Sequence, residues 1–261
     1  MANPSEPGLR TTFQVEALSV RVYERLEDLA VAAAHAAHDC LREAVSRQRQ
    51  ATAILASAAS QVKFLEVLTG LSGLDWFRVT LFHMDEYLGI SDQHPASFRR
   101  FLREHVMQKV MPRTCHDLAG DALDSIQECD RYAGLLRVQP IDLCCLGIGE
   151  NGHVAFNDPP VADFSDPRAV KIVKLDEACR RQQVGEGAFP SFDAVPQYAL
   201  TLTIPALCAA KRLICVVPER RKAQAVRNAL WGPLQTTCPA SILRRQPHAT
   251  LYLDAESASL L

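Results

Sequence analysis

Apolar residues in this chain gather into short runs separated by longer amphipathic stretches. The runs are TAILA (52–56), FRVTLFH (77–83), IDLCCLG (141–147), VKIVKL (170–175), ALTLTI (199–204), RLICVV (212–217) and ATLYLD (249–254). Most are near-continuous rather than alternating, the pattern of strands covered on both faces. Between many of them the spacing switches to a 3.6-residue period. It predicts helices over Val20 to Arg47, Ser60 to Thr69, Ser97 to Gln108, Asp124 to Arg137 and Glu219 to Leu230, with Ser97 and Asp124 suited to N-caps. Strand and helix alternation of this kind predicts an α/β fold, a mostly parallel twisted sheet of about seven strands with helices on both faces.

No repeat or low-complexity linker divides the 261 residues, so residues 1–261 read as one domain, with 1–20 an extended or irregular N-terminal segment. The stretch VGEGAFPSFDAVP (184–196), with two glycines and two prolines, reads as a flap rather than a boundary. In sheets of this kind ligands bind beyond the carboxyl ends of strands. The segments to compare are therefore those that follow the strand-like runs.

Composition narrows what such a site would take. Hydrophobic residues make up 48% and charged residues 22%, which supports a sizeable core. A formal net charge of -2 gives no global pull toward nucleic acid or an anionic membrane. No apolar run approaches the roughly 20 residues that span a bilayer, and MANPSEPGLRTTF lacks the order of a signal peptide. The nine cysteines form no CxxC pair, and several sit in apolar runs as small hydrophobes, so the reading is a reducing, cytoplasmic protein without a structural metal.

Four post-strand segments carry chemistry. LASAASQ (55–61) joins a strand to a helix, where Ser57, Ser60 and free N–H groups suit a phosphate, or where small residues serve only tight packing. HMDEYLG (83–89) places Asp85 and Glu86 after an apolar strand, as a buried base or as a cap or surface acid pair. GENGHVAFNDPP (149–160) sets His153 among glycines with Asp158 five residues on, an arrangement fit for proton exchange with a fixed tautomer. PERRK (218–222) puts Arg220, Arg221 and Lys222 into a first helical turn, against the helix dipole unless an anion binds there. Arg99, Arg100 and Arg103, in FRRFLR, suit either an anion or a solvated face.

Taken together, FHMDEYLGISDQHPASFRRFL (82–102), LGIGENGHVAFNDPP (146–160) and the YALTLTIPAL to PERRKA region (198–223) resemble the glucosamine-6-phosphate deaminase (isomerase) family, over most of the chain from about Ile54. The resemblance implies a Rossmann-like sheet and the conversion of an amino sugar 6-phosphate and water to a ketose 6-phosphate and ammonium, with no metal or organic cofactor. Its partner would be a small-molecule sugar phosphate, with no nucleic acid and no membrane; a homo-oligomer stays open. By the same resemblance, Asp85 is the base that moves a proton between sugar carbons 2 and 1, and His153 opens the ring. Asp158 and Asn151 support the histidine. Ser57, Ala58, Ala59, Ser60 and Lys222 hold the phosphate, and Glu86, Gly152 and Arg181 join the substrate contacts, with Gln183 matching the flap arginine about as well.

Two departures bear on that assignment. Asp158 is one methylene shorter than the family's glutamate, and Ala58 and Ala59 stand where the phosphate loop commonly carries glycines, which demands negative φ there. A related lactonase acting on 6-phosphogluconolactone and a non-catalytic sugar-phosphate sensor are the competing readings. A lactonase has no need of a carbon base such as Asp85.

Overall fold

The computed structural model of the chain describes residues 6–138 and 140–261. In chain order the elements are β1 (Leu9–Val15), β2 (Leu18–Tyr23), α1 (Leu26–Gln48), β3 (Ala51–Leu55), α2 (Val62–Gly70), β4 (Val79–His83) and β5 (Asp85–Tyr87). They continue as α3 (Phe98–Leu102), β6 (Thr114–His116), α4 (Ser125–Val138), β7 (Leu143–Leu146), β8 (Val170–Lys174) and α5 (Glu177–Gly185). The last are β9 (Tyr198–Leu202), α6 (Ile204–Cys208), β10 (Leu213–Val217), α7 (Ala223–Trp231) and β11 (Ala249–Asp254).

The main sheet has eight strands in the order β1-β2-β11-β10-β7-β3-β4-β6. All its neighbours run parallel except β1 and β2. Successive residues of its strands feed opposite cores, as strand geometry requires. Ile54, Cys144 and Cys215 face one apolar cluster, whereas Leu55, Cys145 and Val216 face the other. Helix α1 covers the second face with an alanine-rich stripe, Ala30, Ala33, Ala34 and Ala37, whose small side chains let the helix lie close to the sheet.

The strand-like runs all form strands, but they do not all join one sheet. VKIVK and YALTL pair antiparallel with each other, and YALTL also with β5, in a separate three-stranded sheet, order β5-β9-β8. The reason is visible in β8, where exposed Ile172 and Lys174 alternate with buried neighbours, the pattern of a sheet wet on one side. The N-terminal segment, expected to be extended or irregular, is extended and paired over its described part. Residues 9–23 form a paired antiparallel hairpin, with β2 also parallel to β11, rather than irregular chain. Residues 1–5 lie outside the described residues. Val20 and Val22 therefore belong to a strand, and the long helix begins only at Leu26.

Strands β10, β7, β3 and β4 are consecutive in the sheet and end nearly level, with Leu55 beside both Cys145 and His83 and Leu146 beside Cys215. Only Met84 separates β4 from β5, so the chain passes from one sheet to the other at the level where those ends meet. Asp85 is the first residue after that step.

Candidate active site

The four post-strand segments converge on one crevice. Its wall includes Ala56 to Ser60 after β3, Met84 and Asp85 after β4, Gly147 to Gly149 and His153 after β7, and Lys222 after β10. Pro95 to Phe98, Phe101 and the end of α5 close the opposite side.

Strand alternation separates the two neighbouring acids of HMDEYLG. Asp85 faces the crevice, where its carboxylate accepts no protein hydrogen bond among the described residues, and its position is set through the backbone. The fully buried His83 donates from Nδ1 to the Asp85 carbonyl (2.9 Å) and accepts from Leu118 N at Nε2 (2.8 Å). That pattern requires a neutral ring, and burial lowers the His83 pKa to about 4. Burial, reinforced by the adjacent Glu86 carboxylate, raises the Asp85 pKa well above the usual carboxylate range.

Glu86, assigned to the substrate by sequence, does not line the crevice. It points the other way, fully buried, and accepts from Ser97 Oγ (2.7 Å), Tyr87 N (3.0 Å), Arg99 N (3.1 Å) and Phe98 N (3.2 Å). It thereby ties β5 to the first turn of α3, which Ser97 caps by accepting from Arg100 N. The three arginines of that region are likewise spoken for: Arg99 by Glu86 and Asp121, Arg100 by Glu104, and Arg103 by Asp92.

The loop after β7 folds back on itself, with Gly152 N donating to Gly149 O (3.0 Å) and Gly149 N to His153 O (2.9 Å). The His153 ring lies directly over Gly149, where a Cβ would come within 2.4 Å of its atoms. Gly152 carries a φ of +85° and packs on Cys238, so its role is to make the turn, and it stays out of the crevice wall. Nδ1 of His153 stands 3.0 Å from Oδ1 of the buried Asp158. The shorter side chain does reach the histidine. Asp158 is fixed in turn by Asn151 Nδ2 (3.0 Å) and Asp176 N (3.0 Å), while Asn151 Oδ1 accepts from His153 N. Burial would raise the Asp158 pKa, but His153, Asn151 and the Asp176 N–H outweigh it and hold the carboxyl below its ordinary value. With Nδ1 turned to Asp158, Nε2 is the nitrogen left for a ligand.

His153, Asp158 and Cys179 bring three donor atoms within 4.8 Å of one another. Asp158 already accepts from Asn151 on one oxygen and Asp176 N on the other, so the cluster is organised around the histidine's orientation.

The other end of the crevice presents a buried lysine and a buried hydroxyl. Lys222, its side chain 4% exposed, reaches the wall from the short 3₁₀ turn Arg220–Lys222. Ser57 is buried there with an Oγ that has no partner among the described residues. Ala58 is extended at φ -151°, and neither Ala58 nor Ala59 has positive φ, so alanine meets the steric demand of this loop. Arg181 is not part of the site. Its side chain is 69% exposed and pairs with Glu177, on the outer side of α5. Gln182, Gln183 and Glu186 of the same segment line the crevice instead. Gln183 accepts from the buried Tyr87 hydroxyl (2.7 Å), and Gln182 Nε2 donates to Glu186 (2.8 Å). Glu186 escaped the sequence reading; an acid set between two glycines in VGEG was its one visible signal.

Fold and crevice together define an α/β protein of the Rossmann type with carboxyl, imidazole and ammonium groups gathered at the carboxyl ends of its parallel strands. The chain belongs to the glucosamine-6-phosphate isomerases/6-phosphogluconolactonase family, which it matches over residues 24–252. It is 35% identical over 241 residues to a glucosamine-6-phosphate deaminase of Exiguobacterium sibiricum, covering 92% of each chain. To a glucosamine-6-phosphate deaminase of Bacillus thuringiensis it is 32% identical, covering 93% of this chain and 89% of that one. A solved monomeric glucosamine-6-phosphate deaminase superposes with a TM-score of 0.84 at 30% identity, over 93% of this chain and 99% of that one. A 6-phosphogluconolactonase from Shewanella baltica shares the fold, with a TM-score of 0.73 at 17% identity over 93% of this chain and 99% of that one.

Proposed function

We propose that this protein converts glucosamine 6-phosphate and water into fructose 6-phosphate and ammonium. The observation that carries the reading is the presence of Asp85 and His153 in one crevice whose far end holds Lys222 and the Ser57 hydroxyl, unpartnered among the described residues. The 30–35% identity to glucosamine-6-phosphate deaminases supports it.

The chemistry follows from these groups. Lys222, Ser57 and the N–H groups of the Ala58–Ser60 turn bind the phosphate and fix the sugar along the crevice. Nε2 of His153 exchanges protons with the anomeric hydroxyl and the ring oxygen, breaking the C1–O5 bond to give the open aldehyde. Only then is the hydrogen on carbon 2 acidic. Asp85 removes it while a proton given up by the substrate's ammonium group passes to the aldehyde oxygen, leaving an enolamine across carbons 1 and 2. Asp85 then returns its proton to carbon 1 to give an iminium at carbon 2. Water adds to that carbon, and ammonia leaves as the ketone forms. A raised pKa suits Asp85 to both halves of the carbon transfer, because a strong carboxylic acid would be a poor base toward carbon. Asn151 and Asp158 keep His153 in place, and water is the co-substrate.

No described helix is long and apolar enough to cross a membrane. The nine free cysteines support placing the protein in the cytoplasm. A panel of hexosamine 6-phosphates and 6-phosphogluconolactone tests the reading. Equimolar ammonium and fructose 6-phosphate from glucosamine 6-phosphate is the expected result. Lactone hydrolysis without ammonium from any amino sugar would overturn it.

A further inference from the structure

The anion end of the crevice is already occupied by a carboxylate of the protein itself. Oε1 of Glu186 lies 3.1 Å from Arg221 Nη1 and 3.8 Å from Lys222 Nζ, and its side chain is 10% exposed. Among the described residues, no other carboxylate comes within 4.0 Å of Lys222. Arg221 is also engaged by Glu219 (2.6 Å) and Glu150 (3.6 Å), so two cations face three carboxylates. A phosphate dianion docking at Lys222 would meet surroundings of net negative charge unless one of these acids withdrew. Glu150 and Glu219 are 41% exposed and stand outside the crevice wall, whereas Glu186 is part of it.

We propose that Glu186 is an internal competitor for the phosphate, a specificity-determining residue that ligand binding must displace. Local structure permits the displacement. Glu186 is the residue just past the end of α5, between Gly185 and Gly187, the latter at φ +76°. Its hydrogen bond from Gln182 links its departure to a side chain that also lines the crevice and whose Oε1 holds Glu150 N (2.9 Å). A group with two negative charges displaces a single carboxylate from Lys222 and Arg221, whereas a neutral sugar has nothing to exchange. The crevice thus selects phosphorylated sugars by making every ligand compete with a resident anion.

This inference rests on the reading that Lys222 receives phosphate, and the test separates the two. Dissociation constants for inorganic phosphate are measured by calorimetry for the wild type, Glu186→Gln, Glu186→Asp and Lys222→Ala, with KM for glucosamine 6-phosphate alongside. Glu186→Gln, which keeps the shape and removes the charge, is expected to bind phosphate about tenfold more tightly, with KM falling in step. Glu186→Asp retains the charge and is expected to stay near wild type. Lys222→Ala is expected to weaken phosphate binding. If Glu186→Gln binds phosphate no more tightly, or if Glu186→Asp tightens it equally, the competitor role is overturned. Unchanged phosphate affinity in Lys222→Ala would overturn the phosphate assignment and the competitor role together.

Discussion

The two ends of the crevice are built on different principles. At the acid–base end every group is fixed by partners that do not move: His83 and the β5–β9 pairing set Asp85, and Gly149, Asn151 and Asp158 set His153. At the anion end the partners are charges that can be exchanged, with Lys222 and Arg221 shared among Glu150, Glu186 and Glu219. Proton transfer needs atoms held to a fraction of an ångström. Anchoring a dianion needs positive potential and a way to displace whatever neutralises it beforehand. Variants at the first end should therefore act on kcat, and variants at the second on KM.

The largest effects belong to the proton-handling groups. Asp85→Asn and His153→Ala are each expected to lower kcat by about 10²–10⁴ while substrate affinity changes little, which steady-state kinetics together with a binding isotherm will check. Lys222→Ala comes next. Losing a charge-assisted contact of about 1.5–3 kcal/mol should raise KM roughly 10- to 100-fold with a smaller change in kcat.

Asp158→Asn is expected to lower kcat about tenfold, since Asn151 and Gly149 still constrain the ring. Its effect on stability carries a sign opposite to that of Asp85. The folded-state pKa of Asp158 is lowered, so its contribution is present at neutral pH and lost as pH falls through that value. Asp158→Asn should melt below wild type at pH 7, with the gap closing in acid. Asp85 has a raised pKa, so its favourable contribution is fully present below the unfolded value of about 3.9 and is lost as pH rises through the folded-state value. Asp85→Asn should therefore melt above wild type at pH 7 while being among the least active variants, and the difference should shrink below about pH 4. Thermal melts across a pH series test both signs. The smallest effect is expected at Arg181→Ala, whose exposed pairing with Glu177 predicts less than about a twofold change in either kinetic constant.

How much of this was legible beforehand depended on whether a feature is local. The apolar runs marked β3, β4, β7, β10 and β11 of the main sheet, because burial on both faces leaves a continuous signal in the residues themselves, but they missed β2 and short β6. The N-cap roles of Ser97 and Asp124 were legible for the same reason. Sheet membership was not. Nothing within VKIVKL states its partner, and its pairing with β9, which in turn pairs with β5, is fixed by contacts remote in sequence. The opposite destinations of Asp85 and Glu86 follow from strand alternation once β5 is known to be a strand, but three residues are too few to announce one. Placing Arg181 in the site failed by one helical step, since Gln182 and Gln183 of α5 turn inward where Arg181 turns out. Glu186 needed the tertiary contact between the end of α5 and the Arg220–Lys222 turn, which no local pattern encodes.

The most direct test of the account is ammonium release from glucosamine 6-phosphate by Asp85→Asn, with ligand binding followed on the same preparation. The account predicts a protein that still binds the sugar phosphate and turns it over at least about a hundredfold more slowly than wild type. Undiminished ammonium release by this variant would contradict it.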